Sequence, residues 1–130
     1  HRIRRRQRQM CIRDSEKSSL ILVEGAGGAF SPLALDGLNI DMMRLIKSFN
    51  ILVVKDELGC ISSTIANIYA FQKYKTNLDL IILNTSKKNN MDNLTEIRKY
   101  TKLPVINYKG ISSIRDISKK VSILLKLSNR

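Results

Sequence analysis

Three short, uninterrupted apolar runs constrain the fold of this 130-residue chain more than any other feature. Each run is bounded by polar residues, and the three are Leu20–Val23, Ile51–Val54 and Leu80–Leu83. Runs of this length without polar alternation are typical of strands that are buried on both faces of a parallel sheet. The runs therefore predict a sheet of parallel strands, provided that helices connect them.

The segments between these runs have the apolar spacing of helices. The positions that carry this spacing are Ile40, Met43, Leu45 and Ile46 in the first segment, and Ile61, Ile65, Ile68 and Phe71 in the second. The resulting β-α-β-α-β order predicts an α/β fold in which helices flank a parallel sheet with right-handed crossovers. Beyond it, the pattern predicts a helix around Leu94–Tyr100, a short strand in "LPVINY" and a closing helix over Ile114–Leu127.

Residues 1–19 differ in composition from the rest of the chain. They contain six arginines and one lysine against two acidic residues, a net charge of +5, which leaves +7 for residues 20–130. Their "RQRQMCIRDS" resembles translated adaptor read-through, and we expect residues 1–19 to be a disordered or artefactual basic leader. The alternative is a basic arm that binds nucleic acid or an anionic membrane. Residues 20–130 are expected to form the C-terminal part of a single domain whose sheet lacks N-terminal strands.

Composition disfavours several classes of function for residues 20–130. Their positive charge is spread along the chain, and the 5% aromatic content without tryptophan gives no stacking platform for single-stranded nucleic acid. The longest apolar stretches are far shorter than the ~20 residues of a membrane span. Two cysteines give no disulfide framework, which favours a reducing, cytoplasmic compartment. We therefore expect neither a nucleic-acid nor a membrane partner.

The first apolar run ends in Glu24 and continues into a glycine-rich stretch, "EGAGG". Glycines allow close approach of the backbone to a ligand and leave N–H groups for anionic oxygens. A carboxylate beside such a loop suits Mg²⁺, a hard cation that also binds phosphate oxygens. The alternative is a glycine-rich turn with a surface glutamate.

The second run leads into "KDELGCISS", in which Gly59 precedes the second predicted helix. The N–H groups of a helical first turn and the helix dipole form an anion site that suits a carboxylate. The alternative is an ordinary helix N-terminus that is capped by Ser62 or Ser63. Ligands of open α/β sheets lie beyond the carboxyl ends of the strands, so both stretches and Asn84 are expected at one edge.

Three segments of the chain are "LVEGAGGAFSPL", "ILVVKDELGCISSTIANIYAFQ" and "DLIILN". At these separations they resemble the C-terminal half of the dethiobiotin synthetases, over about Leu20 to Ile111. The resemblance implies a P-loop NTPase-like, three-layer α/β/α fold and a cytoplasmic homodimer. It also implies an ATP- and Mg²⁺-dependent ligase of biotin biosynthesis that forms C–N bonds. Such enzymes join CO2 to 7,8-diaminononanoate through a phosphorylated carbamate and close the ureido ring of dethiobiotin, releasing ADP and phosphate.

The resemblance also assigns site residues. Glu24 would be a Mg²⁺ ligand, and Gly25, Ala26 and Gly27 would line the nucleotide phosphates and the carbamate. The substrate's carboxylate tail would bind across the dimer interface at Gly59, Cys60, Ile61 and Ser62. The adenine side of the nucleotide site would comprise Asn84, Thr85, Gly110, Ile111 and Ser112.

The chain departs from the family pattern in three places. Ser62-Ser63 stand where the family has Asn-His, and "INYKGI" lacks the family's proline. No G-x-x-x-x-G-K-[ST] motif and no carbamate-stabilising early lysine occur in the 130 residues, so we expect this chain to be inactive alone. Two other hypotheses remain, namely a related amidoligase such as cobyrinic acid a,c-diamide synthase, and a non-catalytic basic-arm binding module on a degenerate α/β domain.

Overall fold

A three-stranded parallel sheet organises the computed structural model, which describes residues 21–85 and 91–128. The elements, in chain order, are β1 (Pro32–Ala34), β2 (Gly37–Leu38), α1 (Asn39–Ile46), β3 (Ile51–Lys55), α2 (Cys60–Lys73), β4 (Leu80–Asn84), α3 (Asn93–Lys99), β5 (Val105–Tyr108), a 3₁₀ turn (Ile111–Ser113) and α4 (Ile114–Ser128). Seven of the predicted elements, three strands and four helices, are observed within one or two residues of their expected positions.

The sheet has the strand order β3-β4-β5, and both pairs of strands are parallel. Ile51 pairs with Leu80 at one end of the first ladder and Lys55 with Asn84 at the other. Asn84 in turn pairs with Tyr108. The three carboxyl ends therefore lie side by side, which confirms the predicted parallel α/β architecture and places Asn84 at one edge with the end of β3.

The predicted strand over Leu20–Val23 is wrong for the residues that the structure describes. Ile21, Leu22 and Val23 are not in a strand, and their exposed fractions are 56%, 90% and 53%. An apolar run becomes a buried strand only where neighbouring strands satisfy its N–H and C=O groups. Within the described ranges, no strand pairs with this run. Leu20 and residues 1–19, including the predicted leader, lie outside the described residues.

The core lies between the sheet and helices α2 and α3. Its members are apolar side chains with 8% exposure or less, including Val54, Ile68, Phe71, Ile81, Leu83, Ile97 and Val105. The run "LIIL" of β4 buries three of its four side chains, as expected. In "ILVV" only Val54 is buried and Val53 is 63% exposed, because β3 is an edge strand of the described sheet. No helix in the described part of the chain combines the length and apolarity needed to cross a bilayer.

Helix α1 buries less of its predicted apolar face than expected. Ile40 is fully buried and Met43 packs against the core, but Leu45 and Ile46 are 84% and 47% exposed. Each residue advances ~100° around a helix, so Leu45 lies roughly 140° from Ile40. A helix of eight residues that contacts the core at its first turn cannot bury both positions.

Candidate active site

The glycine loop, residues 25–28, is attached to the beginning of α1 through the residues that follow it. The N–H of Ile40 donates to the Ala29 carbonyl at 2.9 Å, and the N–H of Asn39 donates to the Ser31 carbonyl at 3.0 Å. These are first-turn N–H groups of α1, which have no partners within the helix itself. The end of the loop is therefore fixed by the same bonds that satisfy the helix terminus.

Two asparagine side chains, Asn39 and Asn67, form hydrogen bonds with the backbone of the glycine loop and of Ala29. They are called the asparagine pair. Asn39 is 2% exposed, and its Nδ2 donates to the carbonyls of Ala26 and Gly28 at 2.9 and 3.0 Å. Asn67 on α2 accepts a hydrogen bond from the N–H of Ala29 at 2.6 Å. The carbonyls of Ala26 and Gly28 are thus turned towards the buried Asn39 side chain.

Close packing against the asparagine pair requires glycine at two loop positions. A Cβ on Gly25 would lie 2.7 Å from Asn39 Oδ1, and a Cβ on Gly28 would lie 2.9 Å from Asn67 Oδ1. Gly27 has a φ of 79°, a left-handed conformation that other residues rarely adopt. Access for a ligand is therefore not the only reason for the glycines, because a Cβ at Gly25 or Gly28 would also clash with Asn39 or Asn67.

The sequence prediction missed both members of the asparagine pair. Asparagine is a poor helix former, because its amide competes with the backbone for hydrogen bonds. Asn67 lies in the middle of α2, where its Nδ2 donates to the Ser63 carbonyl at 2.8 Å. An asparagine amid the apolar positions of a predicted helix is the signal that could have identified it.

Glu24 is exposed and immediately precedes the glycine loop. The described residues contain no group of three or more His, Cys, Asp or Glu side chains that could enclose a metal ion. Mg²⁺ does not need such a group, because it commonly binds one or two carboxylates and completes its shell with water and phosphate oxygens. The single carboxylate beside open N–H groups fits this mode of binding.

The beginning of α2 lacks a side-chain cap among the described residues. Gly59 is the N-cap residue, with a φ of 90°, and no described side chain accepts a hydrogen bond from the first turn. The alternative of a serine cap is wrong, because Ser63 Oγ donates to the Cys60 carbonyl at 3.1 Å and Ser62 is exposed. The predicted tail site, Gly59, Cys60, Ile61 and Ser62, therefore lies at a helix terminus without a serine cap. The N–H of Cys60 donates to the Glu57 carbonyl at 3.1 Å, so an anion would have to bind at the other N–H groups of this turn.

Cys60 lies at this helix terminus with its side chain buried, at 4% exposure. Burial raises the pKa of its thiol, because the thiolate loses solvation, and the charge of Asp56 raises that pKa further. A raised pKa reduces the thiolate fraction, so Cys60 is suited to packing rather than to nucleophilic chemistry.

Asn84 and Thr85 lie at the end of β4, beside the ends of both neighbouring strands. The N–H of Asp56 donates to the Asn84 carbonyl at 3.0 Å, and the N–H of Thr85 donates to the Tyr108 carbonyl at 2.8 Å. Thr85 Oγ1 is also hydrogen-bonded to Asn107 Oδ1. These two predicted nucleotide residues are therefore fixed at the common edge of the sheet.

The remaining predicted nucleotide residues follow β5. Gly110 has a φ of 99° and precedes the 3₁₀ turn that contains Ile111 and Ser112. Ile111 is 83% exposed, which leaves an apolar side chain available to a flat ring. The predicted site residues therefore lie in two groups. One group includes the glycine loop, which a hydrogen bond between Ala29 and Asn67 connects to α2. The other group lies at the ends of β4 and β5.

A buried polar pair that the sequence did not indicate lies near the end of β3. Asp56 is 8% exposed and its Oδ1 accepts a hydrogen bond of 2.7 Å from Asn93 Nδ2, on the first turn of α3. A buried carboxylate must be hydrogen-bonded, so this contact connects the beginning of α3 to the turn that precedes α2. The pair therefore stabilises the uncapped terminus of α2.

Comparison with known proteins gives one family and a consistent set of relatives. Residues 3–114 match the model of a family described as an AAA domain. The chain is 38% identical to the ATP-dependent dethiobiotin synthetase of Vesicomyosocius okutanii over 96 residues, which are 74% of this chain and 43% of that protein. It is 29% identical to that of Ruthia magnifica over 107 residues, with 81% and 50% covered. It is 32% identical to that of Crocosphaera subtropica over 119 residues, with 86% and 54% covered. The chain spans about half the length of these curated relatives.

Proposed function

Because the chain belongs to the AAA domain family, a group of P-loop NTPases, and is homologous to ATP-dependent dethiobiotin synthetases, we propose that the protein containing it is a dethiobiotin synthetase. This protein would carboxylate 7,8-diaminononanoate with CO2 and use ATP to close the ureido ring. The observation that carries the proposal is the Glu24 carboxylate beside a bare, internally fixed glycine loop, within residues 3–114, which match the family model.

In this proposal the glycine loop binds the phosphates of ATP. The carbonyls of Ala26 and Gly28 are held inward by Asn39, so the N–H of Gly27 faces outward, and an outward N–H group attracts anionic oxygens. Glu24 supplies one oxygen ligand to Mg²⁺. When bound, the ion neutralises charge that develops on the phosphates during transfer.

The two other groups of site residues bind the rest of the substrates. Asn84 and Thr85 would contact the adenine ring, against which Gly110, Ile111 and Ser112 pack. The uncapped first turn of α2, from Gly59 to Ser62, would bind the carboxylate tail of 7,8-diaminononanoate contributed across a homodimer interface. The free, buried Cys60 is compatible with the reducing cytoplasm that we propose as the site of action.

The proposal concerns the protein that contains this chain rather than the 130 residues alone. Phosphoryl transfer depends on charge neutralisation by several groups at once, and the Gly-Lys-Ser/Thr motif that supplies them is not among these residues. We therefore propose that the chain contributes one metal ligand, the phosphate-facing loop and the substrate-tail site to the complete enzyme.

The test is formation of dethiobiotin from 7,8-diaminononanoate, bicarbonate, ATP and Mg²⁺ by the complete protein and its Glu24→Ala variant. Removal of a group that stabilises transition-state charge lowers kcat by about 10²–10³, so we expect a loss of that size in Glu24→Ala. Glu96→Ala is the control, because Glu96 is ion-paired with Lys99 on the surface of α3. Full activity in Glu24→Ala would contradict the metal role, and an inactive parent protein would contradict the function.

A further inference from the structure

We propose that Asn39 and Asn67 are positioning residues that direct the N–H of Gly27 towards the bound anion. This inference rests on the proposed function, because the anion is the phosphate of a nucleotide. Neither residue was recognised from the sequence, and neither would touch the nucleotide. Their effect would pass through two peptide groups of the glycine loop.

The first peptide group joins Ala26 to Gly27. Its carbonyl accepts a hydrogen bond from the buried Asn39 Nδ2 at 2.9 Å. In a trans peptide the N–H points opposite to the C=O, and the described residues contain no cis peptide. Fixing the carbonyl inward therefore turns the N–H of Gly27 outward. Among the described residues this N–H has no hydrogen-bond acceptor.

The second peptide group joins Gly28 to Ala29 and is held at both ends. Its carbonyl accepts from Asn39 Nδ2 and from the N–H of Ser31, both at 3.0 Å. Its N–H donates to Asn67 Oδ1 at 2.6 Å. Gly28 therefore cannot turn its carbonyl towards the anion. A carbonyl oxygen at that position would repel the phosphate.

The orientation of the Asn39 amide is fixed by chemistry. Both hydrogens of Nδ2 are used by the two loop carbonyls, and exchange of Nδ2 and Oδ1 would place an oxygen against two carbonyl oxygens. Oδ1 is buried without a partner in the described part of the chain. A buried acceptor without a partner is unfavourable. The presence of one here indicates that the loop requires both N–H donors of Asn39 Nδ2.

The test measures binding of the Mg²⁺ complex of β,γ-imido-ATP to the complete protein by titration calorimetry. The variants are Asn39→Leu and the smaller Asn39→Ser, which keeps the test usable if the first does not fold. The matched controls are Asn50→Leu and Asn50→Ser. Asn50 is also a buried asparagine, at 6% exposure, but its amide donates to the Asn77 carbonyl at the opposite end of β3.

We expect the Asn39 variants to weaken binding by about tenfold or more, the size that loss of a charge-assisted hydrogen bond produces. The Asn50 variants should bind within about twofold of the parent, although they lose stability through the same kind of hydrogen bond. Unchanged binding in the Asn39 variants, or an equal loss in the Asn50 variants, would overturn the positioning role.

A second readout separates this inference from the proposed function. If the parent protein does not bind β,γ-imido-ATP, the proposed function fails, and the amide resonance of Gly27 is then followed by NMR during titration with inorganic phosphate. The positioning role predicts a phosphate-dependent shift in the parent and its loss in Asn39→Ser. No shift in the parent would overturn the inference as well.

Discussion

Substitution of Gly25 by alanine tests the tight packing between the glycine loop and Asn39. The new Cβ would lie 2.7 Å from Asn39 Oδ1 and 3.0 Å from its Cγ. Because Asn39 is 2% exposed, its amide cannot move into solvent and must shift away from the two carbonyls that it binds. Loss of two hydrogen bonds at about 1 kcal/mol each, together with ~1–3 kcal/mol of overpacking, predicts a destabilisation of about 3–5 kcal/mol.

The assay is urea unfolding of the complete protein, with the free energy of unfolding obtained by linear extrapolation. Gly37→Ala is the matched control, since a Cβ there meets no heavy atom within 4 Å and Gly37 has no positive φ. Its effect should be neutral or stabilising by up to ~1 kcal/mol, through the unfolded chain. If Gly25→Ala is as well tolerated as Gly37→Ala, the packing argument for the loop is refuted.

Three further predictions concern buried polar groups. Asn50→Leu should lower the free energy of unfolding by about 1–3 kcal/mol, because it leaves the Asn77 carbonyl without its 2.8 Å donor; a change under ~0.5 kcal/mol in urea unfolding would contradict this. Asn93→Leu should destabilise by about 2–3 kcal/mol, because it removes a donor to the buried Asp56 carboxylate, and an unchanged urea midpoint would count against that contact. Burial raises the pKa of the Cys60 thiol, so the folded state holds this proton more tightly and loses stability as pH rises above the thiol's unfolded pKa. Iodoacetamide at pH 8 should therefore label the thiol of folded protein more slowly than that of protein in urea, and equal rates would contradict the assignment.

The parts of the fold that depend on local pattern could be predicted from the sequence. The runs "ILVV" and "LIIL" supply apolar side chains to both faces of the sheet, and the spacing of Ile61, Ile68 and Phe71 matches a helix that packs on one face. The glycine at position 59 also indicated the beginning of α2. These features are encoded within single segments, so no knowledge of distant partners is needed.

The parts that depend on distant partners could not be predicted. The run at Ile21–Val23 has a strand pattern, but its conformation depends on neighbouring strands that a local pattern does not reveal. The asparagine pair likewise becomes visible only when residues 39 and 67 approach a loop that is 11 to 38 residues away in sequence. Roles of Glu24, Asn84 and the first turn of α2 remain predictions, which the residues' positions support.

The most direct test of the account is a crystal structure of the complete protein with β,γ-imido-ATP and Mn²⁺ in place of Mg²⁺. The anomalous signal of Mn²⁺ locates the metal independently of the protein density. The account predicts a Mn²⁺ peak bonded to the Glu24 carboxylate and to phosphate oxygens, with one phosphate oxygen accepting a hydrogen bond from the N–H of Gly27. A nucleotide bound away from the glycine loop, or a Mn²⁺ peak without Glu24 among its ligands, would contradict the central claim.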